Sequence, residues 1–403
     1  MGAGTVEGQA SGKTVRQSNF ELLRIVAIAF IILHHIAVHG DWGNGGMFFP
    51  EELTFNAVAL QGFFGLGKIG VNAFVLISGY FLFGSVRSTW PKAVRLWVEM
   101  LFYSVLITSL FAAFDGYELT PRRVFIMFTP FISVTWWFAT TYLLMLLLSP
   151  FVNKALGSCD ERTHLKLIIG SVVIWSIVPT VTNMPVLLND LIWFIVLYVI
   201  GAYIARYPRH FGWNSGKYAA FALGIYLLMV VLMVIVDITH LESELWDQHN
   251  YVNVIQWQND ILVLSASVFL FLAFRNVRAF HSKIINYLAT AVFGVYLIHD
   301  MGLVRGYIYD RLFDCNGFTD SPFMVFYIFG IMLTILIVCT VIELVRIELM
   351  DKRLLKGLPD AVLRAQNRYD EWIDGIVGKD DDKSCEILRV GCSVHPEVHR
   401  END

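Results

Sequence analysis

Long apolar runs alternate with short polar breaks from about residue 20 to residue 346 of this chain. A helix needs roughly 20 predominantly apolar residues to cross a bilayer, because no water inside the hydrocarbon can satisfy a bare backbone group. Ten stretches meet that demand, at about 22–39, 62–83, 95–114, 133–153, 165–182, 188–205, 217–238, 254–274, 284–304 and 322–346. The pattern predicts an all-α fold, a polytopic transmembrane helix bundle of about ten spans. The second stretch is Gly-rich, and only Asn183 to Leu187 separates the fifth from the sixth.

Charge placement along the breaks predicts the orientation. Lys13 and Arg16 precede the first stretch, and Arg87, Lys92 and Arg95 follow the second. Lys154, Arg162 and Lys166 follow the fourth, Arg206, Arg209 and Lys217 the sixth, and Arg275, Arg278 and Lys283 the eighth. Two of the opposite loops carry Asp41, Glu51 and Glu52, and Glu242, Glu244 and Asp247, with no Lys or Arg in either. Only Arg122, Arg123, Arg305 and Arg311 break the alternation. The positive-inside rule then expects both termini in the cytoplasm.

The expected layout is a cytoplasmic segment 1–20, a transmembrane domain 21–347 and a cytoplasmic tail 348–403. In the tail, Leu358 to Ile376 reads as an amphipathic helix at the membrane surface, and the sequence from Lys379 onward (KDDDK) as disordered. No small-residue cleavage site accompanies the first apolar run, so it reads as a retained helix. Composition agrees with a bilayer as solvent: 56% hydrophobic and 16% charged residues, against roughly a quarter charged in soluble chains. A net charge of −4 offers no basic surface for nucleic acid, and five scattered cysteines show no metal-ligand spacing or disulfide framework.

Charged and titratable side chains inside such runs are costly enough to mark functional sites. Arg24 falls near the cytoplasmic end of the first span, with His35 eleven residues on, about 16 Å further across and on the same helix face. His39 shares that face, whereas His34 is turned about 100° aside. On the ninth span His299 falls at nearly the depth of His35, with Asp300 beside it. Asp260, with Gln256, Gln258 and Asn259, enters the eighth span from outside to a comparable level, so a polar cluster is expected in the outer half.

A second, cationic layer forms at the inner face from Arg87, Lys92, Arg95 and Arg24, with Glu99 and Glu343 as nearby acids. It suits a polyanion such as a nucleotide phosphate. Ordinary readings stand beside these: positive-inside anchors for the cations, interhelical hydrogen-bonding for the histidines, a water-facing acid for Asp260. The His35 and His39 pair has metal-ligand spacing but no evident third ligand.

Arg24-x10-His35 resembles the Arg-x10-His motif of the type 3 membrane acyltransferases, which transfer acetyl and sometimes succinyl groups to cell-surface carbohydrates. Gly70 to Leu82 (GVNAFVLISGYFL), Trp137 to Pro150 (WFATTYLLMLLLSP) and Phe293 to His299 (FGVYLIH) are similar to three further signatures of that family, in the same order, and the resemblance covers about residues 20–345. Two departures are evident: Lys92-x-x-Arg95 stands where the family commonly has Arg-x-x-Arg, and the sequence shows none of the added esterase-like domain of some members, so transfer is expected to fall to the bundle alone or with a partner.

The resemblance implies a multi-pass protein of a bacterial cell membrane that moves an acetyl group from acetyl-coenzyme A, as co-substrate and with no tightly bound cofactor, to a surface polysaccharide or lipid-linked glycan. Arg87, Lys92 and Arg95 would hold the donor phosphates, Arg24 the donor arm, and His35 would act as general base. Tyr296, Asn72 or His299 would stabilise the oxyanion, with Trp137 and Asp260 as further acceptor contacts. Acylation of His35 itself is the alternative route. The rival from another class is a transporter or flippase of a lipid-linked glycan, with His35, Asp260 and His299 as a proton relay.

Overall fold

The computed structural model describes residues 17–43, 53–84, 89–182, 189–241 and 257–377. Arg87, Gln256, the segment Asn183 to Leu187 and everything from Lys379 onward lie outside them. Among the described residues the secondary structure is helical, with no strand.

In chain order, α1 spans Ser18–His39, α2 Phe55–Leu82, α3 Trp90–Phe114, the short α4 Pro121–Phe128 and α5 Trp137–Gly157. Helix α6 runs Glu161–Thr182 through a π turn, followed by α7 at Asp190–Arg206 and α8 at Ser215–Leu241. Then come α9 (Ile261–Arg275), α10 (Lys283–His299), α11 (Gly302–Leu312), α12 (Met324–Arg346, continued by a π helix to Leu354) and α13 (Leu358–Val377). Among the described residues seven helices are long and apolar enough to cross a membrane, or eight if the bent pair α10–α11 is one span. The sixth and eighth predicted stretches hold α7 and α9, of 17 and 15 residues, shorter than the roughly 20 a crossing takes.

Hydrogen bonds between chain ends show that successive long helices run up and down. The end of α1 that carries Ser18 meets the start of α10, where Ser18 Oγ donates to Asn286 Oδ1 at 2.8 Å, and the end of α9, where Asn19 donates to the Phe274 carbonyl at 2.9 Å. Asn153 of α5 reaches the Leu82 carbonyl at 2.9 Å, so α2 and α5 end on this Ser18 face as well. On the opposite, His39 face, Asn56 donates to the Thr319 and Ser321 carbonyls ahead of α12, and Arg311 pairs with Asp115.

Exposure confirms a bilayer-type surface. Leu223, Leu227, Val231 and Ile235 are exposed at four-residue intervals along α8, as are Leu333, Ile337, Val341 and Val345 along α12, continuous apolar stripes that water would not tolerate. Hydrophobic association between helices gains little where lipid tails are equally apolar, so close backbone packing has to hold the bundle. Glycines supply it at two crossings. A Cβ on Gly67 would lie 2.2 Å from His34 Cβ and one on Gly70 2.6 Å from the Ala27 carbonyl oxygen, which draws α2 onto α1. A Cβ on Gly79 would lie 2.3 Å from the Tyr198 carbonyl oxygen, and one on Gly201 2.6 Å from that of Leu76, so α2 and α7 touch backbone to backbone.

Two expectations change. The ninth stretch is not one straight helix: α10 stops at His299 and α11 sets off at Gly302 in a direction 75° away. Met301 is extended there (φ −64°, ψ 128°), and the Asp300 carboxylate, at the helix end, is held by Arg305 of the next turn. Arg122 and Arg123, which broke the charge alternation, belong to the separate short helix α4, capped by Thr120 and led by Pro121.

Candidate active site

His35 points inward from α1 and is buried. Its Nδ1 lies 2.9 Å from Nε2 of the fully buried His299, at the end of α10. His299 Nδ1 lies 2.6 Å from the Val295 carbonyl oxygen, one turn back on its own helix. A carbonyl only accepts, so His299 carries its proton on Nδ1 and leaves Nε2 as an acceptor; His35 must then donate from Nδ1. The consequence is a bare Nε2 lone pair on His35, the form a general base requires.

The bend after His299 completes the group. Asp300 is buried, with Oδ1 at 3.6 Å from His35 Nδ1 and 3.1 Å from Arg305 Nη1. Arg305 thus balances an acid beside the histidines. The His39 ring lies tilted, 5.6 Å from the His35 ring and 6.2 Å from that of Tyr309. Tyr296 packs edge-on against Phe138 (5.4 Å) and His299 (6.2 Å), and its buried hydroxyl lies near Asp300 without meeting hydrogen-bond geometry. Trp136 Nε1 donates to the Leu297 carbonyl at 3.1 Å and fixes the start of α5 against α10.

The other outer candidates form a separate knot. Asn72 is fully buried; its Nδ2 donates to the Gln258 carbonyl at 2.7 Å and its Oδ1 accepts from Trp193 Nε1 at 3.1 Å. Gln258 Nε2 donates to Asp190 at 2.6 Å. Asp260 closes the turn ahead of α9 by accepting from the Trp257 amide at 2.9 Å, with Thr180 Oγ1 at 3.4 Å. Asn72 and Asp260 therefore tie α2, α6, α7 and α9 together, and no contact joins either to His35 among the described residues. Trp137 packs on Phe138 and Phe194, next to the histidine group rather than in it.

The inner candidates are dispersed. Arg24, nearly two turns into α1, pairs with Glu21 at 2.6 Å. Lys92 and Arg95 are both exposed at the start of α3, and Arg95 pairs with Asp351. Asp351 belongs to a buried network the sequence reading had half in view. Arg346 grips Glu343 with Nε at 2.8 Å and Nη2 at 2.7 Å, and reaches Asp351 at 2.9 Å and Glu99 at 3.5 Å, while Tyr103 donates to Glu343 at 2.6 Å. Glu99 and Glu343 were expected near the cations; Arg346 and Asp351, which balance them, were not.

Lys68 was also missed, although a lysine inside 62–83 meets the same criterion as Arg24. Its ammonium lies over the Phe64 ring, 5.0 Å from the centroid, within electrostatic reach of His34, His35, Asp260 and Asp190. No cluster of three or more His, Cys, Asp or Glu among the described residues could hold a metal.

Comparison with curated proteins gave no match, and neither did comparison with solved structures. A family model described as an acyltransferase domain matches residues 17–343, from the start of α1 to Glu343 of α12, and so takes in every residue of the histidine group. With that match over most of its length, the chain belongs to the acyltransferase 3 family and is a membrane acyltransferase.

Proposed function

We propose that the protein transfers an acetyl group from acetyl-coenzyme A to a hydroxyl of a surface polysaccharide or lipid-linked glycan, with His35 as the general base. The observation that carries the reading is the bare Nε2 of His35, fixed by the chain of hydrogen bonds from Val295 through His299. In this proposal the Ser18 face is cytoplasmic, as the Lys and Arg distribution favours. The coenzyme enters there past Lys92, Arg95 and Arg24, and the acceptor approaches from the His39 face.

In the chemical step His35 Nε2 takes the proton of the acceptor hydroxyl while its oxygen adds to the thioester carbonyl carbon. The carbonyl π pair moves onto oxygen and returns as the carbon–sulfur bond breaks. The departing thiolate takes the proton back from His35, so the enzyme ends as it began. While His35 is protonated, the Asp300 carboxylate at 3.6 Å offsets its charge, and His299 keeps the ring from turning. Direct transfer is favoured over acylation of His35, because an acylated Nε2 is no longer available as the base for the acceptor hydroxyl.

The test is release of coenzyme A thiol from acetyl-coenzyme A by the purified full chain given a glycan acceptor. Wild-type protein should release thiol in step with acetylated glycan, and His35→Ala should bind the donor without turning over. Turnover by His35→Ala near the wild-type rate discards the assignment. Glycan movement across vesicles with no thiol release selects a transporter instead.

A further inference from the structure

A thioester that is attacked needs a second kind of help besides a base. Negative charge collects on the carbonyl oxygen, and fixed donors or charges aimed at that oxygen usually supply the largest single share of catalysis. In the histidine group the buried hydroxyls of Tyr296 and Tyr309 are uncommitted, but they are neutral donors, and no cation of the group is free. His299 Nε2 accepts from His35, and its Nδ1 is committed to Val295. Asn72 is bound at both ends, to Gln258 and Trp193. Arg305 is bound to Asp300.

Lys68 is the cation left over. It makes no hydrogen bond or ion pair among the described residues, and its sole close partner is the π face of Phe64, at 5.0 Å. The Phe64 ring in turn lies 4.8 Å from the His34 ring, and the Phe64 carbonyl 2.8 Å from His34 Nδ1. Depth is fixed by the glycine crossing. Gly67 sits directly against His34, so in antiparallel helices Lys68 and His35 lie each one residue away from that contact, about 3 Å apart along the bundle axis. An ammonium on a four-carbon stem easily covers that offset. Asp260 and Asp190 are the acids within electrostatic reach, and neither forms an ion pair with it; a lysine inside a bundle without a paired acid is costly enough to mark a functional site.

We infer that Lys68 is a catalytic residue whose ammonium stabilises the oxyanion formed at the thioester carbonyl beside His35. The inference rests on the acyl-transfer reading and extends it. As the acceptor oxygen bonds to carbon and the π pair moves to the carbonyl oxygen, that oxygen gains a full negative charge close to Lys68. The charge disappears again when the pair returns and the thiolate leaves. Lys68 neither gains nor loses a proton, so its contribution is confined to the transition state and belongs in kcat.

The experiment compares the purified full chain with Lys68→Met, Lys68→Gln and Lys68→Arg, using thiol release from acetyl-coenzyme A with a glycan acceptor, thermal unfolding, and equilibrium binding of coenzyme A. Lys68→Met should lose about 10²- to 10³-fold in kcat, with acceptor KM and coenzyme A binding within about twofold. Lys68→Arg should recover at least about tenfold of that loss, since it restores charge at the same place. Should Lys68→Met fail to fold, Lys68→Gln against Lys68→Arg makes the same comparison with a polar head in place. Three results overturn the inference: a folded Lys68→Met or Lys68→Gln with near-normal kcat, a rise confined to acceptor KM, which would make Lys68 a binder of acidic acceptors, or Lys68→Arg no better than the neutral variants. Absence of thiol release by wild-type protein removes the acyl-transfer reading itself and the inference with it; an active wild type beside an unaffected neutral variant removes the inference alone.

Discussion

The imidazoles of His35 and His299, 264 positions apart in sequence, share a hydrogen bond of 2.9 Å, and a single proton arrangement satisfies both rings. Because His299 donates to Val295, it holds His35 in the tautomer whose free nitrogen is basic. His299→Phe removes that acceptor and lets the His35 ring rotate. Its kcat should fall roughly 10²-fold while coenzyme A binding is kept, which single-turnover kinetics on the purified protein will show. His299→Gln, whose carbonyl oxygen can accept the same proton, should keep more activity than His299→Phe.

Asp300 and Arg305 act on His35 as a pair, since Arg305 meets the carboxylate at 3.1 Å and the carboxylate lies 3.6 Å from the imidazole. Asp300→Asn leaves the imidazolium without its counter-charge, and Arg305→Ala leaves a buried carboxylate unbalanced. The double variant should therefore lose less activity than the sum of the two single losses, with a coupling of about 0.5–3 kcal/mol in a double-mutant cycle on kcat/KM. Strict additivity would count against a shared role.

Arg24 stands about 16 Å along α1 from His35, too far for any direct contact. Arg24→Ala should raise the donor KM and leave kcat at saturating donor near the wild-type value, since the arginine is assigned to holding the coenzyme rather than to the chemistry. A fall in kcat with unchanged donor KM would contradict that assignment.

The Arg346 network offers a test of stability separate from catalysis. Glu343 and Arg346 are almost fully buried and bonded twice, and removal of one member of such a pair typically costs about 3–5 kcal/mol because the other charge stays behind. Arg346→Met should lower the unfolding temperature sharply, and Arg346→Met with Glu343→Met should recover part of it. Thermal unfolding in detergent, followed by fluorescence or circular dichroism, measures both.

At Gly79 there is no space for a side chain: a Cβ would sit 2.3 Å from the Tyr198 backbone oxygen. Gly79→Val should cost at least about 1–3 kcal/mol through overpacking, whereas Gly224→Ala on α8, with nothing within 4 Å of the added carbon, should be neutral or mildly stabilising. Unfolding temperatures of the two variants make the comparison.

The all-helical membrane architecture was legible in the sequence, because hydrocarbon allows so few backbone solutions that apolar run length nearly dictates it. The phase of His35 on α1 and its likeness in depth to His299 could also be read, since 3.6 residues per turn fix the phase and 1.5 Å per residue the depth. The bend at Asp300 was not read, because its local sign, Gly302, is a weak one: Met301 is an ordinary helix former, and the break is held by Arg305, itself beyond the turn. Asn72 looked like an oxyanion candidate from its place in the motif, yet its hydrogen bonds to Gln258 and Trp193 come from partners 186 and 121 residues away, which no periodicity reveals. Lys68 was within reach of the same reasoning that singled out Arg24, and the Gly-rich character of its surroundings was the clue that another helix lies there.

The glycine contacts along α2 carry a mechanical consequence. With Gly67 and Gly70 pressed on α1 and Gly79 locked into α7, these three helices cannot slide or roll past one another without steric collision. If the protein works as proposed, any rearrangement that admits acceptor and coenzyme has to occur around this block, so the imidazole on α1 and the ammonium on α2 would travel as one piece and keep their spacing.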